Sequence, residues 1–135
     1  MTDGTATNRR VRPLTRDEMA AYDLIPAELA SRVRVIRAPI PGPYQGVALG
    51  RLVFIGRDIA TDGSSTLLAH ELVHVRQWSE LGVIGFGVRY LSQFVTGLAK
   101  TRRWSAAYRQ IDIEREARSS AEEWRLRRNT QRPPD

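Results

Sequence analysis

The chain contains no cysteine. Disulfides, thiolate metal ligands and a cysteine nucleophile are thereby excluded, and any bound metal must be held by His, Asp or Glu. Histidine is almost as scarce, with 2 in 135 residues. No stretch approaches the roughly 18 apolar residues that a membrane-spanning helix needs. The opening Met1–Asn8 lacks the apolar core of a secretory signal. These absences predict no transmembrane segment and a cytoplasmic location. Acidic residues are outnumbered, 15 against 21 Lys and Arg, giving a formal charge of +6. Such a balance raises the question of an anionic partner. Much of the excess lies near the ends, in Arg9, Arg10, Arg12 and Arg125–Arg128, and no recognised nucleic-acid motif accompanies it, so no specific nucleic-acid partner is expected. A chain of this length forms one domain and cannot build two lobes around a deep cleft.

Both histidines fall in one stretch, Ala69–Gln77, within the pattern H-E-x-x-H. Two His four residues apart on a helix share a face and can bind one ion together, with Glu71 one helical step away, where it can act on water activated by that ion. The pattern needs a third ligand. Without cysteine or further histidine it must be a carboxylate, and the downstream candidates are Glu80, Asp112, Glu114, Glu116, Glu122 and Glu123. Glu80 shares the helix but is rotated about 240° from His74 and points away. On the last predicted helix, Ala107, Ile111, Ala117, Ala121 and Trp124 form an inward stripe, and Glu114 fills its central gap. A carboxylate there is costly to bury unless it is paired or bound to metal. Arg76 and Arg89 are the cations that could pair with it instead.

Around these residues the chain reads as a disordered lead over residues 1–13, a single domain over 14–126 and a disordered basic tail over 127–135. Thr15 and Glu18 predict a capping box opening a short helix to about Tyr22, and Pro26 opens another. Arg32–Arg37 and Arg51–Gly56 read as strands of an antiparallel ribbon, with an irregular turn over residues 42–50. Ser64 or Ser65 caps a helix from about Thr66 to Leu81, ended by Gly82. An aromatic helix spans about Phe86–Leu98, its stripe expected to pack in the core, and the last helix runs from about Ser105 to Leu126. The fold class is thus α+β, a small β-ribbon followed by a three-helix core.

These residues resemble the gluzincin class of zinc metallopeptidases, in which a second helix supplies a Glu ligand, often within E-x-x-A-D. Here Glu114-Arg115-Glu116-Ala117-Arg118 matches the Glu and the Ala, and Arg118 replaces the Asp that orients the first His. More closely, His70–Gln77 and Tyr108–Ala117 are similar to the paired motifs of small single-domain metallopeptidases, over about Val33–Ala121. The resemblance implies a minimal zincin-like fold and Zn2+ held by His70, His74 and Glu114. It also implies Glu71 as general base, Tyr108 as a candidate oxyanion donor and a peptide or protein substrate. Asp58, Asp62 or a backbone carbonyl would replace the missing Asp. The strand before the metal helix would border the cleft, and a protein partner could complete a shallow groove. A zinc-binding interaction domain without turnover is the alternative.

Overall fold

The computed structural model describes residues 10–42 and 44–131. The fold is α+β, with a four-stranded sheet and helices that pack on it. Strand β1, Val11–Pro13, precedes helix α1, Arg16–Ala21, whose N-terminus carries the expected reciprocal cap between Thr15 and Glu18. Residues 11–13 belong to the stretch expected to be a disordered lead. They are ordered because Val11–Pro13 pairs antiparallel with β2, Arg34–Arg37, and because Arg12 makes a bidentate ion pair to the buried Glu18, at 2.7 and 3.0 Å. Residues 1–9 lie outside the described part, as do 132–135 of the expected tail. Residues 127–131 continue the last helix.

A short helix α2, Ala27–Ala30, leads into β2. The stretch expected to be an irregular turn contains a strand, β3, Gly46–Leu49, which turns through Gly50 and Arg51 into β4, Leu52–Ile55. This hairpin brings β4 beside β2 in parallel, not antiparallel as expected. The sheet order is β1-β2-β4-β3, so β3 is an edge strand.

Helix α3 runs from Thr66 to Thr101, opened by the Ser65 side chain on the Leu68 N–H. Its two halves are the two helices expected, and the first ends at Gly82 as expected: that residue breaks the helix between them, with φ 74° and ψ 164°, a region essentially reserved for glycine. An unbroken helix would hold residues 78 and 86 about 12 Å apart along its axis. Across the kink their rings stack at 3.9 Å. The second half of α3 is not wholly core as expected. Phe86 is buried and Tyr90 and Phe94 half-buried, whereas Val83, Ile84, Val88, Leu91 and Val95 are exposed. Against the expectation that no stretch approaches such a length, this helix is by length and composition alone apolar enough to cross a membrane.

The last predicted helix is two, α4, Trp104–Gln110, and α5, Asp112–Gln131, separated by the extended Ile111. The side-chain oxygen of Gln93, on α3, accepts the Asp112 N–H at 2.7 Å and satisfies a donor that a helix start would otherwise orphan. Helix α3 packs against both the sheet and α5. Its Leu68, Leu72 and Val73 meet Val33, Val53, Ala117 and Trp124 in the main core.

Candidate metal centre

His70 and His74 project from the first half of α3, one turn apart, toward the start of α5. The break at Ile111 places Glu114 in the first turn of α5, where the exposed N–H groups favour negative charge. Its Oε2 lies 3.3 Å from His70 Nε2 and 3.2 Å from His74 Nε2, and the two Nε2 atoms are 3.2 Å apart. The alternative pairing of Glu114 with an arginine is not what the structure has. Arg89 pairs with Asp112, and Arg76 pairs with Glu80 and Glu116. Among the described residues the other carboxylates once open as ligands are engaged away from the histidines or exposed, Glu122 with Arg125 on its own helix.

This triangle tests whether an ion fits. A tetrahedral zinc with bonds of about 2.0–2.1 Å holds its ligand atoms about 3.3–3.4 Å apart. The observed sides, 3.2, 3.2 and 3.3 Å, match that spacing. His70, Glu71 and His74 also offer ligand atoms within 4.8 Å of one another. The tighter set is the one with Glu114, whose oxygen touches both rings. Glu71 stands beside it with a different property: it is buried, and its Oε2 has no hydrogen-bond partner. A buried acceptor left unpaired is expensive, and a carboxylate with an oxygen within 4.8 Å of both histidine ligand atoms is suited to receive a proton there.

Gln77 orients His74. Its Nε2 donates to the Ile113 carbonyl at 3.0 Å and to Glu116 at 2.8 Å, which commits both amide hydrogens. Its Oε1 is therefore the atom 2.8 Å from His74 Nδ1, and that ring nitrogen donates. The neutral His74 ring then presents its lone pair at Nε2, toward Glu114 and His70. Gln77 thus orients the second His, not the first, for which Asp58, Asp62 or a backbone carbonyl was expected. Asp58 instead pairs with Arg37, and Asp62 bonds Ser64. Arg118, at the position of the missing Asp, donates to the Arg109 carbonyl of α4.

Electrostatics follow from this crowding. Burial would raise the Glu114 carboxyl, but hydrogen bonds and charge from His70 and His74 outweigh it and hold the group well below the carboxylate range. Burial disfavours a charged His74, yet the bond to and charge of Glu114, with Glu71 behind, push the imidazole above its usual value. Glu71 is pushed up by burial, against the pull of both histidines and with the repulsion of Glu114.

Tyr108, the expected oxyanion donor, lines the same cavity and packs its ring on Tyr44 at 5.3 Å. Burial and the charge of Glu114 push its hydroxyl up, so it stays protonated. Tyr90, read from the sequence as a core aromatic, donates its hydroxyl to Glu114 Oε1 at 3.1 Å. Gly46 was not singled out either. A Cβ there would come within 3.1 Å of Glu71 Cγ and 3.3 Å of its Oε1, so β3 reaches the base because residue 46 has no side chain. The strand bordering the site is therefore the edge strand β3; β4, expected there, lies inside the sheet. The cavity, about 400 Å³, is also lined by Val47 and Leu49 of β3 and by Trp78, Phe86 and Gly87 of α3.

Compared with known protein families, with curated proteins and with solved structures, the chain has no match.

Proposed function

We propose that this protein is a zinc-dependent metallopeptidase of a minimal, gluzincin-like kind, with His70, His74 and Glu114 as ligands. The observation that carries the reading is the triangle of His70 Nε2, His74 Nε2 and Glu114 Oε2, with sides of 3.2–3.3 Å, beside an unpartnered buried Glu71. When bound, zinc supplies a Lewis acid that makes water nucleophilic near neutral pH and polarises a carbonyl. Glu71 takes the proton from the attacking water and returns it to the leaving amine. Its burial suits the first half of that cycle, because a raised pKa makes a stronger base. Tyr90, whose hydroxyl donates to Oε1, holds Glu114 in place. Tyr108, kept protonated, is a donor for the developing oxyanion. A peptide or protein is the substrate class, since β3 offers an open edge beside Glu71 to an extended chain.

Metal analysis of the purified protein tests the ligand set. Wild type retains one zinc per chain, and His74→Ala and Glu114→Ala lose it. Zinc that survives Glu114→Ala unchanged overturns the assignment. Glu71→Gln separates turnover from mere binding: zinc stays and hydrolysis falls by on the order of 10²–10⁴-fold.

A further inference from the structure

We infer that the cavity beside the ion site is a specificity pocket that selects a bulky aliphatic or aromatic side chain adjoining the scissile bond, an inference that rests on the peptidase reading above. The cavity is lined by Glu71, His74 and Glu114 and by the rings of Tyr44, Tyr90 and Tyr108. Its apolar lining includes Val47, Leu49, Trp78 and Phe86.

Those walls are fixed before any ligand arrives. Trp78 donates its indole N–H to the Ala48 carbonyl at 2.9 Å, and Phe86 stacks on the indole with an interplanar angle of 11°. A ring held on its edge and its face has little freedom to swing into the void. Gly87 adds a second sign. Glycine is a poor helix former, and a close neighbour would be the usual reason to find one inside a helix. A Cβ at Gly87 meets nothing within 4 Å, yet the residue lines the cavity. Its missing side chain leaves the pocket open.

The edge strand sets where a substrate backbone runs. Gln45 gives its carbonyl to the Gly56 N–H across the hairpin at 2.9 Å, so by alternation Gly46 and Ala48 turn their backbone groups outward. Trp78 occupies the Ala48 carbonyl, which leaves the groups of Gly46 to pair with an extended chain. Gly46 abuts Glu71, and Val47 and Leu49 line the same cavity. A chain paired at Gly46 therefore lies against the base and turns an adjoining side chain into the cavity, toward the Trp78–Phe86 wall.

The test uses N-acyl amino-acid hydroxamates, which anchor on the ion and differ only in side chain: glycine, alanine, leucine and phenylalanine. Binding is read by calorimetry on the zinc-containing protein, with zinc content measured in parallel. The leucine and phenylalanine compounds bind on the order of 10–100-fold tighter than the glycine one. In Gly87→Leu, a change that favours the helix and fills the cavity, zinc content is unchanged and the preference falls below about threefold. Equal binding of all four compounds by zinc-containing wild type, or a preference that survives Gly87→Leu, overturns the pocket while leaving the metal reading intact. Absence of zinc from wild type overturns the metal reading, and the pocket's role with it.

Discussion

Gln77 decides which nitrogen of His74 faces the other ligands. Its amide hydrogens are fixed on Ile113 and Glu116, so it can only accept from His74 Nδ1. Removing that acceptor frees the ring to turn or to place its proton at Nε2, where it would compete with an ion. Gln77→Leu, close in volume, is expected to lower zinc affinity about 10–100-fold. Competition with a chromogenic chelator measures it. An affinity equal to wild type would show that the amide merely packs. The sequence carried a signal for this residue, since Gln77 follows His74 by three and shares its helix face. Tyr90 carried none, because a tyrosine in an aromatic stripe looks the same whether its hydroxyl meets water or a buried carboxylate.

Helix α3 does two jobs that an unbroken helix could not combine. Its first half presents the histidines and Glu71, and its second half folds back through Gly82 to supply Phe86, Gly87 and Tyr90 to the same cavity. The kink conformation is barred to side chains, so Gly82→Ala is expected to cost about 1–3 kcal/mol even though open space surrounds the position. Thermal unfolding reads the cost, and near-UV circular dichroism reads the loss of the Trp78–Phe86 stack. An unchanged melting temperature with an intact stack would refute the role given to the glycine. At this scale the sequence was legible wherever the determinant is local. The Thr15–Glu18 cap, the periodic helices and the inward position of Glu114 all follow from spacing along the chain. Strand direction does not, because β2 and β4 read alike whether parallel or antiparallel. Strand β3 was hidden by its brevity among Pro41, Gly42, Gly46 and Gly50. The break at Ile111 was hidden because its cap, Gln93, comes from another helix.

The molecule as a whole hangs together through Tyr22, which joins its N-terminal part to the metal-bearing helix and to the last one. The Tyr22 hydroxyl accepts the Ser65 N–H at 2.9 Å and donates to the Ser65 carbonyl at 3.0 Å, at the residue that caps α3. Its ring packs 4.9 Å from Trp124, whose indole N–H reaches back to the Ala21 carbonyl at 2.9 Å. Burial pushes the Tyr22 hydroxyl well above its ordinary value of 10.0, against the opposing bond from Ser65. The folded state therefore holds the proton more tightly than the unfolded chain. Stability from this group is fully present below about pH 10 and is lost as pH climbs from there toward the folded value. An ionised Tyr22 would keep the Ser65 N–H but lose its own donation to the carbonyl. Tyr22→Phe removes the titrating group at the expense of both bonds, about 0.5–1.5 kcal/mol each. In metal-free protein below pH 10 the variant should melt lower than wild type by that amount. Above pH 10 the wild-type curve should fall more steeply, so that the two converge. Curves that stay parallel to pH 12 would mean that Tyr22 does not couple alkaline titration to unfolding.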